Sequence, residues 1–312
     1  MKKLFLVISI FTIILDSSFL ALAQQQELRG TISLSGAWAV YPTAVAWAEG
    51  FKKLHPRVNI DISAGGAGKG VADAIAGLID IGMVSRDPDP SELNKGITAI
   101  YILKDAVYPV VSDKNFFLED LLKKGIKKQI FSDIYVTGTA ASWNQAVKVK
   151  KNKPIHVYTR SDSSGAAASW AAYLGKKQED LKGVGVYGDP GLLAAVKNDP
   201  AGIGYNNFSY VFMPEGGLIP GIRLIPIDAN ENGIADADEV YDTKEKAIAA
   251  ISAGRYPAAR KNYFFVKGKP SALVKAFIQF ALSEEGTKIA AGVGTSLPIP
   301  AKEREEILKT LE

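Results

Sequence analysis

Ile155-His156-Val157-Tyr158-Thr159-Arg160-Ser161-Asp162-Ser163-Ser164-Gly165 is the stretch whose reading decides the fold. Its first five residues alternate and carry β-branched and aromatic side chains, which predicts a buried strand. Ala166 to Leu174, rich in alanine with Trp170, Tyr173 and Leu174 at helical spacing, predicts a packed helix. A strand, a Ser/Gly turn and a helix in succession leave backbone N–H groups unpaired at the helix start. With the helix dipole these form an anion site. Arg160 adds a planar fork of donors and a fixed positive charge. Asp162 is placed to hold that fork, and Ser164 to donate a hydroxyl. The bland alternative is a Ser-capped helix beside a surface arginine.

The same unit recurs upstream. Gly30 to Leu34 reads as a strand, Ser35 to Ala39 as a loop, and Pro42 opens a helix with Trp47, Phe51 and Leu54 on one face. Val58 to Ile62 is a second strand. It runs into the small-residue loop Ala64-Gly65-Gly66-Ala67-Gly68-Lys69-Gly70 and a helix striped by Val71, Ile75 and Leu78. Ile81 to Val84 is a third strand, ending at Ser85-Arg86-Asp87-Pro88. The alternation predicts an α/β fold with a largely parallel sheet, in which ligands bind past the carboxyl ends of strands. The glycine loop lacks the spacing of a dinucleotide fingerprint and the Lys-Ser/Thr close of a P-loop. It is a backbone-donor loop, or else close strand–helix packing.

Lys2 and Lys3, the apolar run Leu4 to Leu15 and Ala21-Leu22-Ala23 predict a signal peptide over residues 1–23, cleaved before Gln24, and hence a periplasmic protein. The run is shorter than the ~20 residues a span needs. The 312 residues include no cysteine, which excludes a lipid-anchored cysteine, disulfides and thiol chemistry. The formal net charge of +4 counts two lysines and an aspartate of that leader, and the remaining basic residues are scattered. The pattern carries no nucleic-acid footprint. The length suits two domains of ~150 residues.

Ser35 to Pro42, the Gly65 to Gly70 loop, Ile81 to Arg86, Arg160 to Gly165 and the later Gly202-Ile203-Gly204-Tyr205 resemble, in order and spacing, the ligand loops of the phosphate-binding proteins of bacterial ABC transporters. The resemblance covers almost all of the chain beyond the leader. It implies a type II periplasmic binding protein: two α/β lobes, two hinge crossovers and a cleft that closes on a ligand. Strand reading places lobe 1 at 24–112 and 258–312, and lobe 2 at 113–257. The resemblance implies that Arg160 pairs with the anion, that Asp162 orients it, and that Ser164 and Gly165 belong to the anion loop. The chain departs from the family at Ala39, Ala67 and Ala166, where hydroxyl residues are expected. It also has Arg86 where well-known phosphate binders have an aspartate that accepts the proton of hydrogen phosphate. Asp87 and Asp89 are the neighbouring candidates for that role. The expected ligand set is therefore Trp38, Ala39, Gly66, Ala67, Arg86, Arg160, Ser164, Gly165 and Ala166. The main-chain N–H groups of Trp38, Ala39, Gly66, Ala67, Gly165 and Ala166 are expected to point inward. Arg160→Ala is expected to abolish anion binding with little loss of stability.

A second signal is Asp228-Ala229-Asn230-Glu231-Asn232-Gly233-Ile234-Ala235-Asp236-Ala237-Asp238-Glu239. It fits the twelve-residue calcium loop, with oxygen side chains Asp228, Asn230, Asn232 and Asp236 at positions 1, 3, 5 and 9. Gly233 stands at 6, the Ile234 carbonyl at 7 and Glu239 at 12. The alternative is a solvated acidic turn. Ile222 to Ile227 reads as a strand, so a structural calcium loop is expected here rather than a switch.

The function expected is a monomeric, exported solute-binding protein that hands an oxyanion, phosphate first, to a membrane ABC permease. A non-transport anion- or calcium-binding module on the same fold is the alternative, since three hydroxyl donors are missing. An enzyme is not expected: the sequence shows no Ser–His pair and no cysteine, and the two histidines, His55 and His156, form no metal pattern.

Overall fold

The computed structural model describes residues 27–311; the expected signal peptide lies outside them. Ten strands run in chain order: β1 Gly30–Gly36, β2 Val58–Ala64, β3 Ile81–Val84, β4 Ile97–Ser112, β5 His156–Arg160, β6 Val184–Val186, β7 Gly202–Asn207, β8 Ile222–Leu224, β9 Ala259–Lys267 and β10 Leu297–Pro298. They form one curled sheet in the order β2-β1-β3-β9-β4-β7-β5-β6, with β8 and β10 paired to β4.

Each end of the sheet is a parallel α/β unit. β1 pairs in parallel with β2 and β3, and β5 in parallel with β6 and β7. β3 is buried along its whole length, which is why Ile81-Gly82-Met83-Val84 shows no alternation. Between the two ends run the long antiparallel strands β4 and β9, which pair from Ile97↔Lys267 to Ala106↔Ala259. Ile100 to Leu103 and Ala106 to Ser112 read from the sequence as two strands. They are one, with a bulge between Tyr101 and Leu103.

There are two cores. Trp47, Phe51, Phe264, Phe277 and Phe280 fill the first, and Phe131, Tyr135, Trp143, Trp170 and Tyr205 the second. The change of core falls inside β4: Leu103 packs in the first, Ala106 to Val111 in the second. The division expected at 112/113 is the C-terminal end of that strand; the cores change earlier, between Leu103 and Ala106. The helix Tyr41–Leu54 starts on Pro42 and buries Trp47 and Phe51, whose rings meet Phe264 and Phe277 edge-on at 5.9 and 5.4 Å. Leu54, expected on that stripe, is exposed. So is Leu78, because Gly77, with φ +70°, has already ended the helix Ala67–Ala76. Among the described residues no helix is long and apolar enough to cross a membrane.

Candidate functional site

Arg160 is the last residue of β5 and is 5% exposed, so it is a buried arginine and not a surface one. Its Nε and Nη2 donate to Asp162 Oδ1 and Oδ2 at 2.8 and 2.5 Å, the bidentate brace expected. Its Nη1 lies 2.8 Å from Asp189 Oδ2, close enough for an ion pair but off the angle of a hydrogen bond. Asp189 was not foreseen. It stands in the first turn of the helix Gly188–Lys197, almost fully buried, and its Oδ1 has no partner. Burial pushes the Asp189 carboxyl pKa up, against the pull of Arg160 and Arg260. Burial also works against the charge of Arg160, but Asp189 and Asp162 hold it, and its pKa goes up.

The turn after Arg160 is built to be rigid. Gln178 accepts the Ser164 N–H at 2.9 Å and donates to the Asp162 carbonyl at 2.7 Å. Ser164 caps the helix Gly165–Tyr173 by accepting the N–H groups of Ala166 and Ala167. The bland reading of Ser164 as a cap is therefore true of its oxygen, and the Ala166 amide is taken up in that cap rather than aimed inward. Among the described residues the Ser164 O–H has no acceptor.

The first core's loops meet this turn. Gly68 N–H donates to the Ser163 carbonyl across the cleft at 3.0 Å. A Cβ at Gly68 would lie 2.0 Å from Ser163 Oγ, and one at Gly165 2.0 Å from Ser85 Oγ, so both glycines are needed for the close approach. The Gly66 N–H is spent on the Gly36 carbonyl, which removes it from the inward-pointing set. Among the described residues the amides of Trp38, Ala39, Ala67 and Gly165 have no backbone acceptor. Two of them open helices, where N–H groups are free by construction. Trp38 spans the cleft: its ring meets Tyr187 edge-on at 6.2 Å, packs on Gly188, and leaves its buried Nε1 without a partner.

Arg86, next to the Ser85 that meets Gly165, is engaged by its own neighbours. It donates to both oxygens of Glu92, at 3.0 and 2.5 Å, and to the Asp87 carbonyl. It faces a cavity of about 410 Å³ shared with Ser169, Tyr173 and Arg260. Asp87 accepts from Tyr263 Oη and Asp89 caps the short helix Pro90–Leu93, so both are committed elsewhere. The cleft therefore brings together Trp38, Ala39, Ala67, Arg160, Asp162, Ser164, Gly165 and the unforeseen Asp189. The signal for Asp189 was the Gly-Asp-Pro-Gly opening of its helix. Only the fold shows that it faces Arg160.

Two α/β units joined by a pair of crossing strands, with helix N-termini and a buried arginine between them, define a solute-binding protein of the periplasmic type. The chain belongs to the PBP superfamily domain family, whose profile matches residues 22–285. It is 26% identical over 261 residues to the phosphate-binding protein PstS of Bacillus subtilis, covering 84% of this chain and 78% of that one. It is 25% identical over 298 residues to PstS of Pseudomonas aeruginosa, covering 90% and 87%. A putative phosphate ABC transporter substrate-binding protein with bound phosphate from Clostridium perfringens superposes with a TM-score of 0.71 at 27% identity, over 87% of this chain and all of that one. An ABC-type phosphate transport receptor from Vibrio cholerae shares the fold at 0.64 and 20% identity, over 86% and 100%.

Proposed function

We propose that this protein captures phosphate in the cleft between its two cores, outside the cytoplasm, and presents it to an ABC permease. The observation that carries the reading is the buried Arg160, held by Asp162 beside unpaired amide donors, in a chain 27% identical to a structure that holds phosphate. The chemistry is capture and release; no bond is broken. The carboxylate that would accept the proton of hydrogen phosphate is Asp189. Its Oδ1 is buried and unpartnered, and its Oδ2 is ion-paired with Arg160, whose charge favours the acceptor form. A fully ionised sulfate would bring oxygen lone pairs against that oxygen with no proton between them.

Calorimetric titration of the purified protein at pH 7.5 tests this. Phosphate is expected to bind and sulfate to bind about 10²-fold or more weaker, because a site built around one hydrogen bond rejects the analogue that lacks it. In Asp189→Asn the amide can donate to sulfate, and the preference is expected to shrink to within about tenfold. Binding of neither anion would overturn the reading and leave the alternative of a non-transport module. An unchanged preference in Asp189→Asn would remove the role given to Asp189.

A further inference from the structure

We infer that residues 228–239 bind one calcium ion as a structural clip of the second core, a site separate from the anion cleft. The loop lies between β8 and the helix Lys244–Ser252. Its sequence pattern is specific, and the structure adds an independent observation. Asp228, at position 1, is 1% exposed; its Oδ2 accepts the Gly233 N–H across the loop at 2.9 Å, and its Oδ1 is buried with no partner at all. Glu239, at position 12, is also buried, at 6%. Its two oxygens accept the N–H groups of Ala229 and Asp236, which closes the loop end to end.

Two buried carboxylates normally face a cation. Among the described residues neither Asp228 nor Glu239 has a Lys, Arg or His partner. The nearby lysines are engaged: Lys124 pairs with Asp120 and donates to the Val147 carbonyl, and Lys127 donates to the Glu231 carbonyl. A bound cation is what the pair lacks.

The other donors stand in order. Gly233 has φ +82°, the conformation position 6 of such a loop requires. Asn230 and Asn232 point their amide nitrogens at Asp236 Oδ2, at 2.7 and 2.8 Å. A cation between them would draw the amide oxygens inward in place of those nitrogens. Among the described residues no three His, Cys, Asp or Glu side chains cluster as a metal group. Binding would therefore draw Asp228, Asp236 and Glu239 together around the ion, with the two amide oxygens and the Ile234 carbonyl. This is an all-oxygen set of modest charge, suited to calcium over transition metals and to the 10⁻⁴–10⁻³ M range of extracellular modules. The clip fastens the loop to the helix Leu118–Lys124 and the residues that follow it. Asp228 N–H donates to the Ile126 carbonyl and Ala235 N–H to that of Lys123.

Chelator-treated protein melted in calcium, in magnesium and in EGTA tests the site, with calcium titrated by calorimetry. One calcium per chain is expected, with a rise in Tm of about 3–5 °C at ten times the Kd and little effect of magnesium. Glu239→Gln should remove the calcium shift and leave phosphate binding unchanged. Asn232→Ala, at an exposed position, should weaken calcium at least fivefold without disturbing the fold. No shift at 10 mM calcium, or equal shifts in wild type and both variants, overturns the proposal. Phosphate titration of the same samples is independent of either outcome.

Discussion

Arg160→Ala is expected to abolish phosphate binding and, against the sequence-based expectation, to destabilise the protein substantially. The binding loss follows from the removal of charge-assisted hydrogen bonds, each worth about 1.5–3 kcal/mol. Two of them amount to roughly 10²–10⁴-fold in Kd. The stability loss follows from burial. A surface arginine could be removed at small cost, but this guanidinium lies between Asp162 and Asp189, and its deletion strands two buried carboxylates. Breaking a buried pair from one side costs about 3–5 kcal/mol. The informative variant is therefore Arg160→Lys, which keeps the charge but replaces the fork with a single ammonium. It is expected to melt closer to wild type while phosphate affinity still falls by about tenfold or more, because a lysine cannot brace on Asp162 through two parallel bonds and also face a ligand. Calorimetry and urea melts on both variants check this. Wild-type affinity in either would remove Arg160 from the site.

The local order of strand, loop and helix was legible because it is a local property. Ile155 to Leu174 contains its own alternation, its turn residues and its helical stripe, and the structure shows β5, the capped turn and the packed Trp170 in that order. The bracing of Arg160 by Asp162 was legible for the same reason, since they stand only two positions apart. What pairs across the chain was not. Asp189 lies 29 positions from Arg160, and its burial depends on how the helix Gly188–Lys197 docks. Arg86 was expected at the ligand by position in a motif, yet Glu92, in the short helix that follows, takes it in two bonds. Which amides point inward was also beyond the sequence: Gly66 and Ala166 belong to the right loops, but a carbonyl and a capping hydroxyl reach them first.

The hinge offers the second large effect, and here the sign depends on pH. Asp105 on β4 is fully buried where the cores change over, and Arg260 on β9 donates to it at 2.6 Å. The same guanidinium donates to Asn207 at the end of β7 and to Ser169 on the helix behind the anion turn, so one side chain ties the crossing strands to the site. Burial pushes the Asp105 carboxyl pKa up, and the charge and hydrogen bonds of Arg260 are what oppose it. In Arg260→Leu that opposition is gone and the folded-state pKa rises further above the unfolded value. A raised folded pKa means stability that is present below the unfolded pKa, near 4, and lost as pH rises through the folded value. The variant is therefore expected to lose least near pH 4 and about 3–5 kcal/mol relative to wild type by pH 8. Urea denaturation across that range measures it. Adding Asp105→Asn to Arg260→Leu should flatten the pH dependence, because the amide has no charge to bury. A deficit in Arg260→Leu that stayed constant from pH 4 to 8 would mean that lost packing, and not the stranded carboxylate, is what the hinge arginine prevents.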